Sequence, residues 1–156
     1  MAATAPVGVL FICTGNTCRS PTAEGVFATL AARAGRAGDF AIDSAGTGVR
    51  TTGEPPSPRA IAAARRRGYD LSGLRARPLA HDDVARFTHV LAMDRGHLRL
   101  LREQAPPTLI DRPRLFLTGA GLANDEVADP WGGGEADYER SLDQIEAGCR
   151  ALLARV

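Results

Sequence analysis

Apolar residues follow two alternating patterns along this chain. Val7–Ile12 (VGVLFI) is an unbroken apolar run, as expected of a strand buried on both faces of a parallel sheet. It stops at Cys13-Thr-Gly-Asn-Thr-Cys-Arg-Ser-Pro21, after which Ala23, Val26, Phe27, Leu30 and Ala34 recur at helical spacing. Pro21 suits the first turn of that helix and Ser20 its N-cap. Phe40–Ser44 reads as a short strand, followed by a loop rich in Gly and Pro from Gly46 to Pro58. Ser57-Pro58 opens a second helix that reaches about Gly68, a natural C′ residue. His89–Met93 is the next buried strand, with a helix from about Asp94 to Gln104, and Arg114–Leu117 is a fourth strand. Tyr138, Leu142, Ile145, Cys149, Leu152 and Leu153 form the apolar stripe of a closing helix. Strands alternating with helices predict one α/β domain over residues 1–156, a parallel sheet covered by helices on both faces.

Composition narrows the chemistry. With 156 residues, 44% of them apolar and 24% charged, the chain is ordinary for one soluble domain with a single core. A formal net charge of +1 supplies no global field for nucleic acid or membrane, and neither is expected as a partner. All 19 basic residues are Arg. A lysine-based phosphate loop is therefore excluded, and phosphate recognition has to rest on Arg and backbone amides. Met1 to Pro6 lacks the basic start of a signal peptide, and Val7–Cys13 is too short to cross a bilayer. Three cysteines, two of them five residues apart, do not form a secreted disulfide framework. The reading is a cytoplasmic monomer with free thiols.

The loop Cys13–Arg19 lies at the carboxyl end of the first strand, where open α/β sheets bind ligands, and leads into a helix N-terminus. Its amides can form a nest for an anion, aided by the helix dipole. Gly15 and Asn16 tolerate the positive φ angles of a tight cradle. The same amides, the dipole and Arg19 favour the thiolate form of Cys13. Arg19 can grip two phosphate oxygens through its planar fork, and Ser20 can donate a hydrogen bond to the sulfur. A Cys ending a buried strand is by itself a small core residue. Placed before this bend and its Arg-Ser, it reads as a nucleophile.

The stretch Val9-Leu-Phe-Ile-Cys-Thr-Gly-Asn-Thr-Cys-Arg-Ser-Pro-Thr-Ala-Glu24 resembles the signature of the low-molecular-weight protein tyrosine phosphatases. Asp43-Ser-Ala-Gly-Thr47, Gly53-Glu-Pro-Pro56, Ala92-Met-Asp94 and Asp129-Pro130 follow in that family's order, so the resemblance spans essentially the whole chain. It implies a three-layer domain with a four-stranded parallel sheet and hydrolysis of phosphorylated proteins in two steps, without metal or cofactor. Cys13 would attack phosphorus, with Arg19 and the loop (Thr14, Gly15, Asn16, Thr17, Cys18, Ser20) holding phosphate or a similar oxyanion. Asn16 and Ser44 would brace the loop.

The reaction also needs an acid for the leaving group and then a base for water. Asp129-Pro-Trp-Gly-Gly-Gly134 is the best location, with Asp129 as acid and base and Trp131 as a flat wall for the substrate. An Asp before Pro is commonly a turn residue, and the cysteine loop together with the family's late Asp-Pro-aromatic motif tips the reading to catalysis. The resemblance further implies a reversible Cys13–Cys18 disulfide under oxidation. Cys149 reads as core, His81, His89 and His97 as structural, and Arg65-Arg66-Arg67 as a solvated helix face or a dock for an acidic substrate.

Phosphotyrosine is the substrate the family implies. Thr17, where tyrosine-directed members carry a bulky aliphatic residue, and the Asp-Pro-Trp-Gly-Gly pattern are similar to protein-arginine phosphatases of the same fold, which keeps phosphoarginine as the alternative. An arsenate reductase lacks its further cysteines here, since Cys18 sits in the loop and Cys149 on a packed helix. A non-catalytic anion-binding module would need the amide cradle but not both Cys13 and Asp129.

Overall fold

The structure, a computed structural model, describes residues 4–156. Strand β1 (Val7–Cys13) leads into helix α1 (Arg19–Arg33), strand β2 (Phe40–Gly46), helix α2 (Pro58–Arg66) and the single turn α3 (Asp83–Arg86). Strand β3 (His89–Ala92), helix α4 (Arg95–Gln104), strand β4 (Pro113–Leu115), the turn α5 (Phe116–Gly119) and helix α6 (Glu135–Arg155) complete it. All strand pairs are parallel, in the order β2-β1-β3-β4. Four parallel strands covered by helices are the three-layer architecture expected from the sequence.

Side chains alternate across a strand, so β1 serves two cores. Val9, Phe11 and Cys13 face α1, α2 and α6, and Leu10 and Ile12 face α3 and α4. On the first face Phe11 meets Phe27 and Phe116 edge-on, with ring centroids 6.0 and 5.3 Å apart. Cys149 is fully buried in the same core, as the apolar stripe of the closing helix predicted. No described helix is long and apolar enough to cross a membrane.

The chain moves from β1 to one side for β2 and then crosses to β3 on the other, so the sheet divides at the carboxyl end of β1. The loop after β1 opens at that division. Gly46, paired with Cys13, keeps the opening narrow: a Cβ there would collide with the carbonyl oxygen of Thr14. The extended segment past α2 closes the near side, Gly46 N donating to Arg77 O and Leu79 N to Gly46 O.

Several boundaries differ from the sequence expectation. Helix α1 starts at Arg19, so Ser20 lies inside its first turn and is not the cap; Cys18 takes that position, and no side chain caps the helix. The fourth strand is shorter and earlier than expected, ending at Leu115 where Phe116 and Leu117 turn into α5. Ser57 does cap α2 through Ala60 N, Asp94 caps α4 through His97 N, and Gly68 takes a positive φ of 85° just past α2. The Arg65–Arg67 run is not simply solvated. Arg66 pairs with Glu135 and Glu139, and Arg67 with Glu139, Asp143 and Glu146, so these two guanidinium groups tie α2 to α6.

Candidate active site

Cys13, Thr14, Gly15, Thr17, Cys18 and Arg19 line one cleft of about 530 Å³, closed on its far side by Gly48, Arg50, Thr51, Asp129 and Trp131. The three residues expected to carry chemistry thus converge from the end of β1, the start of α1 and the loop before α6. A wider cleft of about 890 Å³ continues from it past Thr17, Arg50 and Trp131 towards Ser57, Arg59 and Tyr138. Trp131 stands 76% exposed between the two, a flat apolar surface presented to solvent.

The loop's shape follows from where its carbonyl oxygens go. Those of Cys13, Thr14 and Thr17 accept from Thr47 N, Gly48 N and Ser57 N at 2.9–3.0 Å. In this loop only Asn16 takes a positive φ, 54°; Gly15 does not, contrary to the expectation that both would. Asn is among the few residues that occupy this region with little strain.

Asn16 and Ser20 are buried behind the loop and do not line the cleft. Asn16 Nδ2 donates to Ser20 Oγ (2.8 Å) and to Ser44 Oγ (2.9 Å), and Asn16 Oδ1 accepts from Arg77 N (2.9 Å). Both amide hydrogens and one oxygen lone pair are thereby engaged. With its oxygen accepting from Asn16, Ser20 can give its hydrogen to Cys13 Sγ, 2.9 Å away, the other acceptor in reach being Ala45 O at 3.5 Å. Ser44 in turn donates to Glu24 Oε1 at 2.6 Å. Hydrogen bonds donated outward from Asn16 therefore link the nucleophile position, through Ser20, with the Glu24 carboxyl, through Ser44.

Burial pushes the Glu24 carboxyl up to about 7 from its ordinary 4.5, against the bond from Ser44, with Asp43 adding to the rise. The folded protein then holds this proton at pH values where the unfolded chain has released it. Stability from this group is present below pH 4.5 and lost as pH rises through about 7. Replacing Glu24 by Gln, which cannot ionise, is expected to remove that loss. Over the window the two proteins should diverge by roughly 3 kcal/mol, read as the pH dependence of urea unfolding. Parallel pH profiles would show that Glu24 does not carry the buried proton.

Arg19 is 4% exposed and held on several sides. Its Nη1 donates to Asp94 Oδ2 (3.0 Å) and to Val127 O (3.1 Å), and its Nη2 lies 3.6 Å from Asp129 Oδ2. Desolvation opposes ionisation of Asp94, but the amide of His97 and the charge of Arg19 overcome it and hold its carboxyl below the usual range. Asp94 was visible in the sequence as part of Ala92-Met-Asp94, without a role. Asp129 accepts from Trp131 N (3.1 Å) through Oδ1, the turn geometry of an Asx residue, and leaves Oδ2 toward the cleft and Arg19.

Cys18 Sγ sits 3.5 Å from Tyr138 Oη, and burial raises its thiol above the ordinary value. It is therefore a poor thiolate source at neutral pH. All three cysteines are free thiols. Of the histidines, His97 is buried beside the loop, its Nε2 2.7 Å from Thr14 Oγ1. The sequence carried no sign of that contact, since 83 residues separate the partners.

Residues 8–156 match the family model described as low molecular weight phosphotyrosine protein phosphatase. The low molecular weight protein-tyrosine-phosphatase YfkJ of Bacillus subtilis is 36% identical over 153 residues, 96% of each chain. The low molecular weight phosphotyrosine protein phosphatase of Homo sapiens is 33% identical, over 99% of each chain. The crystal structure of the low molecular weight protein tyrosine phosphatase from T. tengcongensis superimposes with a TM-score of 0.88 at 33% identity, covering 96% of this chain and 99% of that one.

Proposed function

Given that the chain belongs to the low molecular weight phosphotyrosine protein phosphatase family, we propose that it hydrolyses phosphotyrosine in proteins through a phosphocysteine intermediate on Cys13. The observation that carries this reading is the meeting of Cys13, Arg19 and Asp129 in one cleft with Trp131 at its rim. With the carbonyls of Cys13, Thr14 and Thr17 engaged elsewhere, the loop offers N–H groups to the equatorial oxygens of a phosphoryl group. Arg19, two of whose contacts are made by Nη1, has Nε and Nη2 for two of those oxygens.

In the first step the sulfur's electron pair forms the S–P bond as the bond from phosphorus to the phenolic oxygen breaks. Asp129 gives that oxygen its proton. In the second step Asp129 takes a proton from water, the water oxygen bonds to phosphorus, and the S–P bond breaks with its electron pair returning to sulfur. The hydrogen bond from Ser20 stabilises the departing thiolate. Trp131 supplies a face on which a phenyl ring can stack. A reversible Cys13–Cys18 disulfide fits the free thiols of one loop, and cytoplasmic location and a monomeric state complete the reading.

One observation favours a second substrate. Thr17 lines both clefts, so its polar side chain stands where the group carrying the phosphate passes. Phosphoarginine is the alternative on that ground. Hydrolysis of matched phosphotyrosine and phosphoarginine peptides separates the two. We expect higher kcat/KM on phosphotyrosine, with Thr17→Ile changing it little; preference for phosphoarginine, lost in Thr17→Ile, would reverse the assignment.

A further inference from the structure

We propose that His97 is a positioning residue of this reaction, a clip between Thr14, which follows the nucleophile, and Asp94, which aims Arg19. The proposal rests on the phosphatase reading above. The imidazole is 3% exposed and approaches two neighbours with its two nitrogens. Nε2 lies 2.7 Å from Thr14 Oγ1. Nδ1 lies 3.1 Å from Asp94 Oδ1, off the hydrogen-bonding line and with no other partner. The backbone N–H of His97 donates to that same oxygen, while the other oxygen of Asp94 accepts from Arg19. One side chain therefore touches both ends of the loop's machinery, next to Cys13 at one end and Arg19 at the other.

Only one neutral tautomer suits both sides. With the proton on Nδ1 the ring faces the Asp94 carboxylate with a donor, and the Nε2 lone pair accepts the hydrogen of Thr14. The opposite tautomer would set a lone pair against the carboxylate at 3.1 Å. Protonating the ring would turn Nε2 into a donor, release the Thr14 hydrogen towards the cleft, and put a second cation beside Asp94 in competition with Arg19. The charges that decide this are Asp94 at the start of α4, Arg19 on α1, and Asp129 and Glu126 from the segment before α6. Burial is the largest influence and keeps the ring neutral, below its ordinary value of 6.5.

A phosphate dianion in the loop adds negative charge next to Thr14 and Arg19, and so favours the protonated ring. By reciprocity, the charge state of His97 changes the loop's affinity for the anion. A residue that merely fills the core would show no such coupling.

The test combines kinetics with ring-nitrogen NMR of the full chain, using an aryl phosphate as substrate and inorganic phosphate as the probe of binding. We expect His97→Phe, which keeps the volume, to lower kcat/KM by about tenfold or more through mispositioning, and to weaken inhibition by phosphate. His97→Gln, whose amide reaches the Nε2 position, should recover most of the loss. In the wild type, His97 should be the Nδ1-protonated neutral form, and saturating phosphate should move its titration upward. Wild-type kinetics in His97→Phe, or a His97 titration indifferent to phosphate, overturns the proposal. The NMR arm needs no variant and decides the matter if His97→Phe fails to fold. If the wild type turns over no aryl phosphate, the phosphatase reading fails, while the phosphate-dependent titration still reports on the His97 link.

Discussion

Cys13→Ser is expected to lower turnover of an aryl phosphate by roughly 10⁴-fold or more while leaving the fold intact and phosphate binding largely preserved. The reasoning separates what the side chain does from where it sits. Cys13 is 3% exposed at the end of β1, paired in register with Gly46, and a serine of nearly the same size fits there. Ser20 and the loop amides meet an oxygen as readily as a sulfur, so the anion cradle survives. What disappears is the nucleophile, since an alkyl hydroxyl is not ionised at neutral pH and the position's one side-chain partner among the described residues, the Ser20 hydroxyl, is no base. Isothermal titration with phosphate and steady-state kinetics on the same preparation check both halves. Turnover above about a tenth of wild type would show that Cys13 is not the nucleophile; a non-catalytic binding module would show phosphate binding in both proteins and turnover in neither.

The second large effect is expected at Arg19. Arg19→Lys keeps the charge but not the fork, and it should reduce kcat/KM by roughly 10²–10³-fold, the range found when a transition-state oxyanion loses a fixed donor. The guanidinium reaches Asp94, Val127 O and the edge of Asp129 while leaving two nitrogens toward the cleft. An ammonium has three donors at one point. It can satisfy Asp94 or the phosphoryl oxygens, but it cannot hold both at the distances seen here. The loss should fall on kcat as well as on phosphate affinity, because the charge on the equatorial oxygens is gripped more tightly in the transition state than in the ground state. A change confined to KM would mean that Arg19 only binds substrate.

Why some of this was legible in the sequence, and some not, has physical reasons. The apolar run Val7–Ile12 and the stripe of the last helix are periodic, and burial on a sheet or under a helix imposes such periods. The chemistry of Cys13–Arg19 is local in sequence, so its spacing alone pointed to a cradle. Asp129 came from the resemblance; its own Asp-Pro context also describes a turn, and in the structure it does form one while facing Arg19. The residues that hold the site together lay beyond local reasoning. Asp94 and His97 arrive from the β3–α4 unit, and Arg77 from a segment with neither period nor regular structure, bonded along the edge of β2. Glu24 sits in a helix that the pattern found, but its burial depends on Ser44 across the layer. Ser20 was misplaced as a cap because the sequence shows a Ser before Pro, whereas the structure commits its hydroxyl to Asn16 and Cys13. Strand β4, three residues long, is too short for a pattern to bound.

The central claim is that phosphate passes through sulfur. The most direct measurement is an acid quench of the protein during turnover of a phosphotyrosine peptide, followed by mass spectrometry of the proteolytic fragment carrying Cys13. The account predicts one phosphoryl group on Cys13, absent from Cys13→Ser and slow both to form and to decay in Asp129→Ala, which lacks the acid of the first step and the base of the second. A phosphoryl group on another residue would contradict it, as would full turnover by Asp129→Ala with no phosphocysteine at any quench time.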